Sequence, residues 1–406
     1  MKFIHTADWH LGNSINGIDR SLESKEFFAW LKARIVEEQA VALVVAGDVF
    51  DTVNPPTEAR QDYFKFLASL LDSPCKNVVI IGGNHDSGML LDAPRDILEA
   101  LNIHVIGGLN GRQAADLVVV LKDASGNSIG VCGAVPFVRD VEFKNFTQGE
   151  SLGALYASVL NEIYRLCGEK QLPFVATGHL YAADIDDRGH SSESDDGVRD
   201  LIGNLGNVPS SVFPDAFDYV ALGHIHYMSM VAKNPRIRYS GSPFVMGFDE
   251  ASIPHYVLSV DVETGKLPVV KPIEVPQVIH FKRIEGTSKE ISDGLNLLKK
   301  QGNTGKTYVE ILFKPEPGLD IREKLRSCVE GAPFEVIRYR AKRMGDVPIA
   351  MNDDSIESVQ SLSENEVFKR LVAAKNPELP EDELEKICQE YLPLFNEVCN
   401  KVKEEN

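Results

Sequence analysis

Five short motifs carry the side chains that could do chemistry in this chain. They are Asp8-Trp9-His10, Gly47-Asp48-Val49-Phe50-Asp51, Gly83-Asn84-His85-Asp86, Gly178-His179 and Gly223-His224-Ile225-His226. Carboxylates, one carboxamide and imidazoles recur, and no thiolate is among them. Oxygen and nitrogen donors of this kind suit Mn, Fe or Zn. Two such cations, about 3.5–4 Å apart, clamp a phosphoryl group and lower the pKa of a shared water. The chemistry on offer is therefore phosphoester hydrolysis. Any one motif is also explained by a satisfied core histidine or a turn aspartate. Five in series, each after an apolar run and four with glycine directly before the donor, are not explained that way.

The elements that must position these donors are legible as apolar runs. Segments 3–6, 42–46, 78–81, 174–177 and 219–222 are apolar with little alternation, which predicts buried strands in a sheet covered on both faces. Between them, 21–39 places Phe27, Phe28, Leu31 and Ile35 on one helical face. Segment 57–72 follows Pro55-Pro56, with Thr57 as its cap and Phe64, Leu67 and Leu71 as its apolar stripe. Strands alternating with helices predict an α/β fold, and every motif follows a strand. The donors should thus gather along one rim of the sheet. Residues 107–111 read as a turn. Residues 183–200 read as a surface loop, where Asp184, Asp186, Asp187 and His190 are better explained as solvated charge than as a cation site.

At 406 residues the chain exceeds one ordinary core, so two or three units are expected. No run approaches the roughly 20 apolar residues of a membrane span. The first strand begins at the N-terminus, leaving no room for a cleaved leader, so a cytoplasmic enzyme is expected. The six cysteines show no C-x-x-C spacing and predict reduced thiols, without a disulfide framework or zinc knuckle. A net charge of −18 argues against indiscriminate nucleic-acid binding. Its distribution qualifies that. Residues 277–350 hold 14 Lys/Arg against 10 Asp/Glu, whereas 353–406 hold 6 against 14. The middle segment alone suits a polyanion over a broad face, though an ordinary solvated surface would also show such a balance.

Near 272–276 the pattern changes to strand, helix, strand, helix, strand over 278–283, 288–300, 307–313, 321–329 and 334–339, a small α/β unit. After residue 351 come two acidic helices. The first opens with a capping box, Ser363 with Glu366, and carries Val367, Leu371 and Ala374. The second carries Leu384, Ile387, Tyr391 and Phe395, with Pro393 as a kink. These apolar stripes either pack back on the fold or dock a partner helix.

At its motifs the chain resembles the calcineurin-like metallophosphoesterase superfamily and, more narrowly, the SbcD family of nuclease subunits. The opening His5-Thr6-Ala7-Asp8-Trp9-His10-Leu11-Gly12, the run Gly47-Asp48-Val49-Phe50-Asp51 before Pro55-Pro56, Ser240-Gly241-Ser242-Pro243 and Phe248-Asp249-Glu250 carry that narrower likeness. The resemblance implies a layered α/β/β/α sandwich over 1–275, a DNA-binding cap over 276–350, and helices over 351–406 that dock a partner. It implies one ion on Asp8, His10, Asp48 and His226, and a second on Asn84, His179 and His224, with Asp48 bridging; Mn²⁺ is the metal implied. His85 would be the general acid, and Asp51 would hydrogen-bond to it. The activity implied is DNA exonuclease and endonuclease cleavage of ends and hairpins in repair, recombination and replication. An SbcC-type ATPase partner would work with a homodimer whose contacts lie near 57–72 and 88–101. No Gly-x-x-x-x-Gly-Lys-Ser/Thr motif occurs here, so ATP dependence would come from that partner. The alternatives are a small-molecule or protein phosphoesterase of the same superfamily, and a non-catalytic scaffold, which the intact donor set disfavours.

Overall fold

The computed structural model describes residues 1–138, 151–168, 171–182, 208–301, 305–315 and 320–342, with isolated positions 372, 386, 388, 391, 392 and 395. The acidic stretch 183–200 and the capping box at Ser363 lie outside the described residues, as does most of 351–406. The chain divides into two compact units, Met1–Met344 and Gly345–Asn406. No helix among the described residues is long and apolar enough to cross a membrane.

In chain order the strands are β1 (Lys2–Thr6), β2 (Ser14–Ile15), β3 (Ile18–Asp19), β4 (Ala42–Ala46), β5 (Asn77–Ile81), β6 (Ile103–Ile106), β7 (Val118–Lys122), β8 (Ser128–Ala134) and β9 (Phe174–His179). They continue with β10 (Tyr219–Gly223), β11 (Ser229–Met230), β12 (Ile237–Tyr239), β13 (Tyr256–Asp261), β14 (Val269–Glu274), β15 (Ile279–Gly286), β16 (Lys306–Phe313) and β17 (Glu335–Ala341). The main helices are α1 (Ser21–Glu37), α2 (Thr57–Ser69), α3 (Gly88–Asp92), α4 (Arg95–Glu99), α5 (Leu152–Cys167), α6 (Ser288–Gln301) and α7 (Ile321–Val329).

Two six-stranded sheets make the body, ordered β14-β13-β1-β4-β5-β6 and β11-β12-β10-β9-β8-β7. Neighbouring residues on one strand enter different cores. Phe3, Val44 and Val79 join the core shared with the second sheet and α5, while Ile4, Val45 and Ile80 join the core under α1 and α2. Both faces of β1, β4 and β5 are thus buried, which is why their sequences show no polar alternation. The strands that carry the donors belong to two sheets rather than one: β1, β4 and β5 are parallel in the first, β9 and β10 in the second.

The helix face expected on α1 is the buried one, with Phe27, Phe28, Leu31 and Ile35 inside. On α2 it is not. Tyr63, Phe66 and Leu67 are buried, whereas Phe64 and Leu71 are 41% and 44% exposed. The buried stripe is set by the core it meets: Phe66 stacks on Phe28 and Tyr63 packs edge-on against Phe50. Thr57 is likewise not a cap; Pro56 occupies that position and no side chain caps the helix.

The small unit forms as the sequence predicts. Strands β15, β16 and β17 make a parallel three-stranded sheet, and α6 and α7 bury Ile291, Leu295 and Leu325 against Val309 and Ile311. Its β15 meets the body through a second, smaller cluster in which Ile279 and Phe281 pack with Ile15, Val245 and Phe248.

Candidate metal centre

Each donor motif begins where a strand ends. Asp8 and His10 follow β1, Asp48 follows β4, Asn84 follows β5, His179 closes β9, and His224 and His226 follow β10. Because these strands run parallel within their sheets, their carboxyl ends deliver all seven side chains to one place. Asp8, His10, Asp48 and His179 are buried at its floor, while Asn84, His85, His224 and His226 are half-buried around it. Trp9, between two donors, points the other way. It is fully buried among Phe27, Phe28 and Phe66, with Nε1 donating to Thr6 Oγ1 at 3.0 Å. Removing such an anchor would cost about 3–5 kcal/mol, so Trp9 pins the turn that aims Asp8 and His10.

The backbone at the centre is strained. Asp8, His10, Asp48 and His224 all have positive φ, at 54°, 42°, 49° and 100°. For residues with a Cβ this conformation is uncommon and clusters where function demands it. The glycines beside them leave room that no side chain could share. A Cβ on Gly83 would come 2.1 Å from Asp48 Oδ1, and one on Gly47 2.3 Å from His179 Nδ1.

The donor atoms face one another closely. Asp48 Oδ2 lies 3.2 Å from His179 Nε2 and 3.6 Å from His10 Nε2, between the two expected ligand sets. Asn84 Oδ1 lies 2.9 Å from His179 Nε2 and 3.1 Å from His224 Nδ1. Asp8, His10 and His226 form one tight group of candidate ligand atoms, and Asp8, Asp48 and His179 another. Asp8 is steadied by the His224 N–H at 2.9 Å, and Asp48 Oδ1 by the His85 N–H at 2.9 Å.

These contacts suit a cation. His179 donates Nδ1–H to the Ala46 carbonyl at 2.9 Å, so its Nε2 lone pair would otherwise face two oxygens. In the metal-free chain a proton must stand in. Burial opposes it, yet Asp48 and Asp8 raise His179 to about 9. Likewise His226, despite burial, is raised to about 10 by Glu250, Asp8 and Asp48. Burial works against charge on Asp48, but His179, His10 and His85 hold it well below the carboxylate range. Neither ring nitrogen of His10 finds a hydrogen bond among the described residues, although it is buried. The donor set therefore fits divalent ions, which would satisfy the same lone pairs.

Around the donors the structure corrects one expectation and adds three residues. His85 does bond to Asp51, but through the backbone: its Nδ1–H donates to the Asp51 carbonyl at 2.9 Å. The Asp51 carboxylate faces His10 Nδ1 at 3.3 Å instead and accepts from Asn13 Nδ2 at 3.0 Å. Asp86, buried, accepts the backbone N–H groups of Val49, Phe50 and Gly83 at 2.9–3.0 Å. It thereby staples the turn after Asp48 to the turn before Asn84, and burial together with Asp48 pushes it up to about 6. Glu250 accepts from His226 Nδ1 at 3.1 Å. Adjacency to Asn84 and His85 hinted at Asp86; nothing local to 248–250 hinted that Glu250 reaches His226. His5 and His255 stay outside the centre. His5 is buried between Tyr219 and Leu222, His255 binds the Ser242 carbonyl, and His190 lies outside the described residues.

Residues 1–228 match the family described as calcineurin-like phosphoesterase, and 279–376 match the type 5 capsule protein repressor C-terminal domain. The class is thus a calcineurin-like metallophosphoesterase, a hydrolase of α/β architecture from a family that implies divalent metals. The chain is 31% identical over 400 residues to the SbcD component of the SbcCD nuclease of Escherichia coli K12, covering 95% of this chain and 96% of that one. It is 34% identical over 356 residues to the SbcD component of Rhodobacter capsulatus, covering 83% and 86%, and 30% identical over 278 residues to that of Bacillus subtilis, covering 66% and 67%. Within its class, this chain belongs to the SbcD family.

Proposed function

We propose that this chain is a two-metal DNA nuclease, cleaving phosphodiester bonds as exonuclease and endonuclease at ends and hairpins. The observation that carries the reading is Asp48 Oδ2 set between His10 on one side and His179 on the other. Near full-length likeness to an SbcCD nuclease component supports it. Asp8, His10, Asp48 and His226 would hold one ion; Asn84, His179 and His224 would hold the other, with Asp48 shared. Oxygen and imidazole donors with a half-open rim favour Mn²⁺. Bound there, the ions would supply Lewis-acid stabilisation and an activated water.

The chain's own residues do the rest. The Ala46 carbonyl holds the His179 ring, and the Asp51 carbonyl holds His85 by Nδ1–H, so Nε2 is the His85 nitrogen left to give a proton. That proton goes to the leaving 3′ oxygen, which makes His85 the general acid. Asp51 joins the site through its carbonyl on His85 and its carboxylate beside His10.

In this reading residues 1–275 catalyse, 276–350 bind DNA, and 351–406 dock an SbcC-type ATPase. The cap strands carry Arg283, Arg338 and Arg340, two of which flank the buried Glu310. Exposed Phe64, Leu71, Met89, Ile97 and Leu101 support a homodimer contact along α2 to α4. Repair and recombination in the cytoplasm is the setting this implies. The test is a chelator-stripped preparation refilled with Mn²⁺, Mg²⁺ or Zn²⁺, assayed with the ATPase on hairpin DNA and alone on a generic phosphomonoester. Metal-restored hairpin cleavage is expected. Strong phosphomonoesterase activity without DNA cleavage would overturn the reading.

A further inference from the structure

The four imidazoles of the proposed ligand set are not held alike. On one side, His179 donates Nδ1–H to a backbone carbonyl, and His224 Nδ1 faces the Asn84 carboxamide. On the other, His226 Nδ1–H donates to the Glu250 carboxylate at 3.1 Å, and His10 Nδ1 lies 3.3 Å from the Asp51 carboxylate. Among the described residues, no carboxylate from outside the ligand set pairs with His179 or His224. The outer carboxylates thus back only His226 and His10.

Both outer carboxylates are themselves fixed. Glu250 Oε2 accepts the Met246 N–H at 2.8 Å. Asp51 Oδ1 accepts from Asn13, whose own Oδ1 accepts from Arg20 at 3.3 Å. Arg20 in turn donates to the Val245 carbonyl at 2.6 Å, and Val245 is buried in the cluster that joins the body to β15. Each rests on the segment 245–246, so neither needs to be ordered when an ion arrives.

We infer that Glu250 and Asp51 are positioning residues that make the two metal subsites unequal, so that the Asp8–His10–His226 subsite fills first and holds its ion more tightly. Glu250, hydrogen-bonded to His226 Nδ1, fixes that ring's tautomer, leaves Nε2 as the donor and increases its basicity, while Asp51 sets its charge beside His10. Two extra negative charges beside the first subsite add Coulombic attraction for an ion held there. The inference rests on the ligand assignment proposed above.

The test needs no turnover. Metal-free full chain is titrated with Mn²⁺ by calorimetry, and the same steps are followed by electron paramagnetic resonance. Wild type should take up two ions in separated events, with a mononuclear Mn signal preceding the spin-coupled pair. Glu250→Ala should weaken the tight event about 10- to 100-fold and leave the weaker event unchanged. Glu250→Gln, which retains an acceptor without the charge, should restore part of that loss. Unaltered affinities in both variants would overturn the inference, as would equal weakening of both events. A wild-type chain that takes up fewer than two ions would overturn the ligand assignment, and the inference with it.

Discussion

Asp86 offers the sharpest test of how the centre is assembled, because it touches no proposed ligand side chain yet holds two ligand turns together. Its Oδ2 accepts from Val49 and Gly83, and its Oδ1 from Phe50. Hydrogen bonds to a charged group contribute about 1.5–3 kcal/mol each. Set against them is the burial of that charge beside Asp48, which, even with the three bonds counted, raises the carboxyl from 3.8 to about 6. Asp86→Ala loses all three bonds but sheds that charge, so about 2–5 kcal/mol of destabilisation is expected. Asp86→Asn also sheds the charge and keeps one oxygen. With that oxygen in the Oδ2 place, its amide group meets the Phe50 N–H, leaving about 1–3 kcal/mol lost. The order Ala worse than Asn follows from which oxygen takes two donors. Urea unfolding read by tryptophan fluorescence measures it, since Trp9 and Trp30 both pack in or against the core under α1. An Asp86→Ala chain within about 0.5 kcal/mol of wild type would refute the stapling role.

Other outcomes follow from single residues. Asp48→Asn should lose both ions and nuclease activity together, since one carboxylate serves both; metal analysis showing two ions per chain would send the bridge elsewhere. His85→Leu should abolish cleavage with both ions retained, and loss of an ion in the purified variant would make His85 a ligand. Burial lowers His5 from 6.5 to about 3, so its stabilising share is complete above pH 6.5 and is lost as pH falls from 6.5 toward 3. The slope is at most about 1.4 kcal/mol per pH unit. His5→Gln should therefore flatten the acid limb of the urea-midpoint profile; parallel profiles would rule this out. Truncation after residue 350 should spare metal-dependent cleavage of simple substrates while removing complex formation with the ATPase. Stable co-purification of the truncated chain would place the docking surface elsewhere.

What the sequence determined by itself is local. An apolar run followed by a donor places that donor at the end of a strand, and this holds for Asp8, Asp48, Asn84, His179 and His224 without knowledge of any partner strand. Helix α7 and strand β4 keep their expected bounds for the same reason: period and punctuation lie within the segment. Tertiary structure decided what depends on distance in space. That α2 buries Tyr63 and Phe66 rather than Phe64 follows from Phe28 and Phe50, which belong to other segments. That the donors come from two sheets follows from strand pairing, which runs of hydrophobic residues do not specify. Asp51 turning its carboxylate to His10 and only its carbonyl to His85 is a matter of ångströms in a turn. Glu250 lies 24 positions from His226, and no spacing rule joins them. Covalent order and side-chain pattern act over a few residues, whereas hydrogen bonds to buried groups are set by whatever the packed chain brings within about 3 Å.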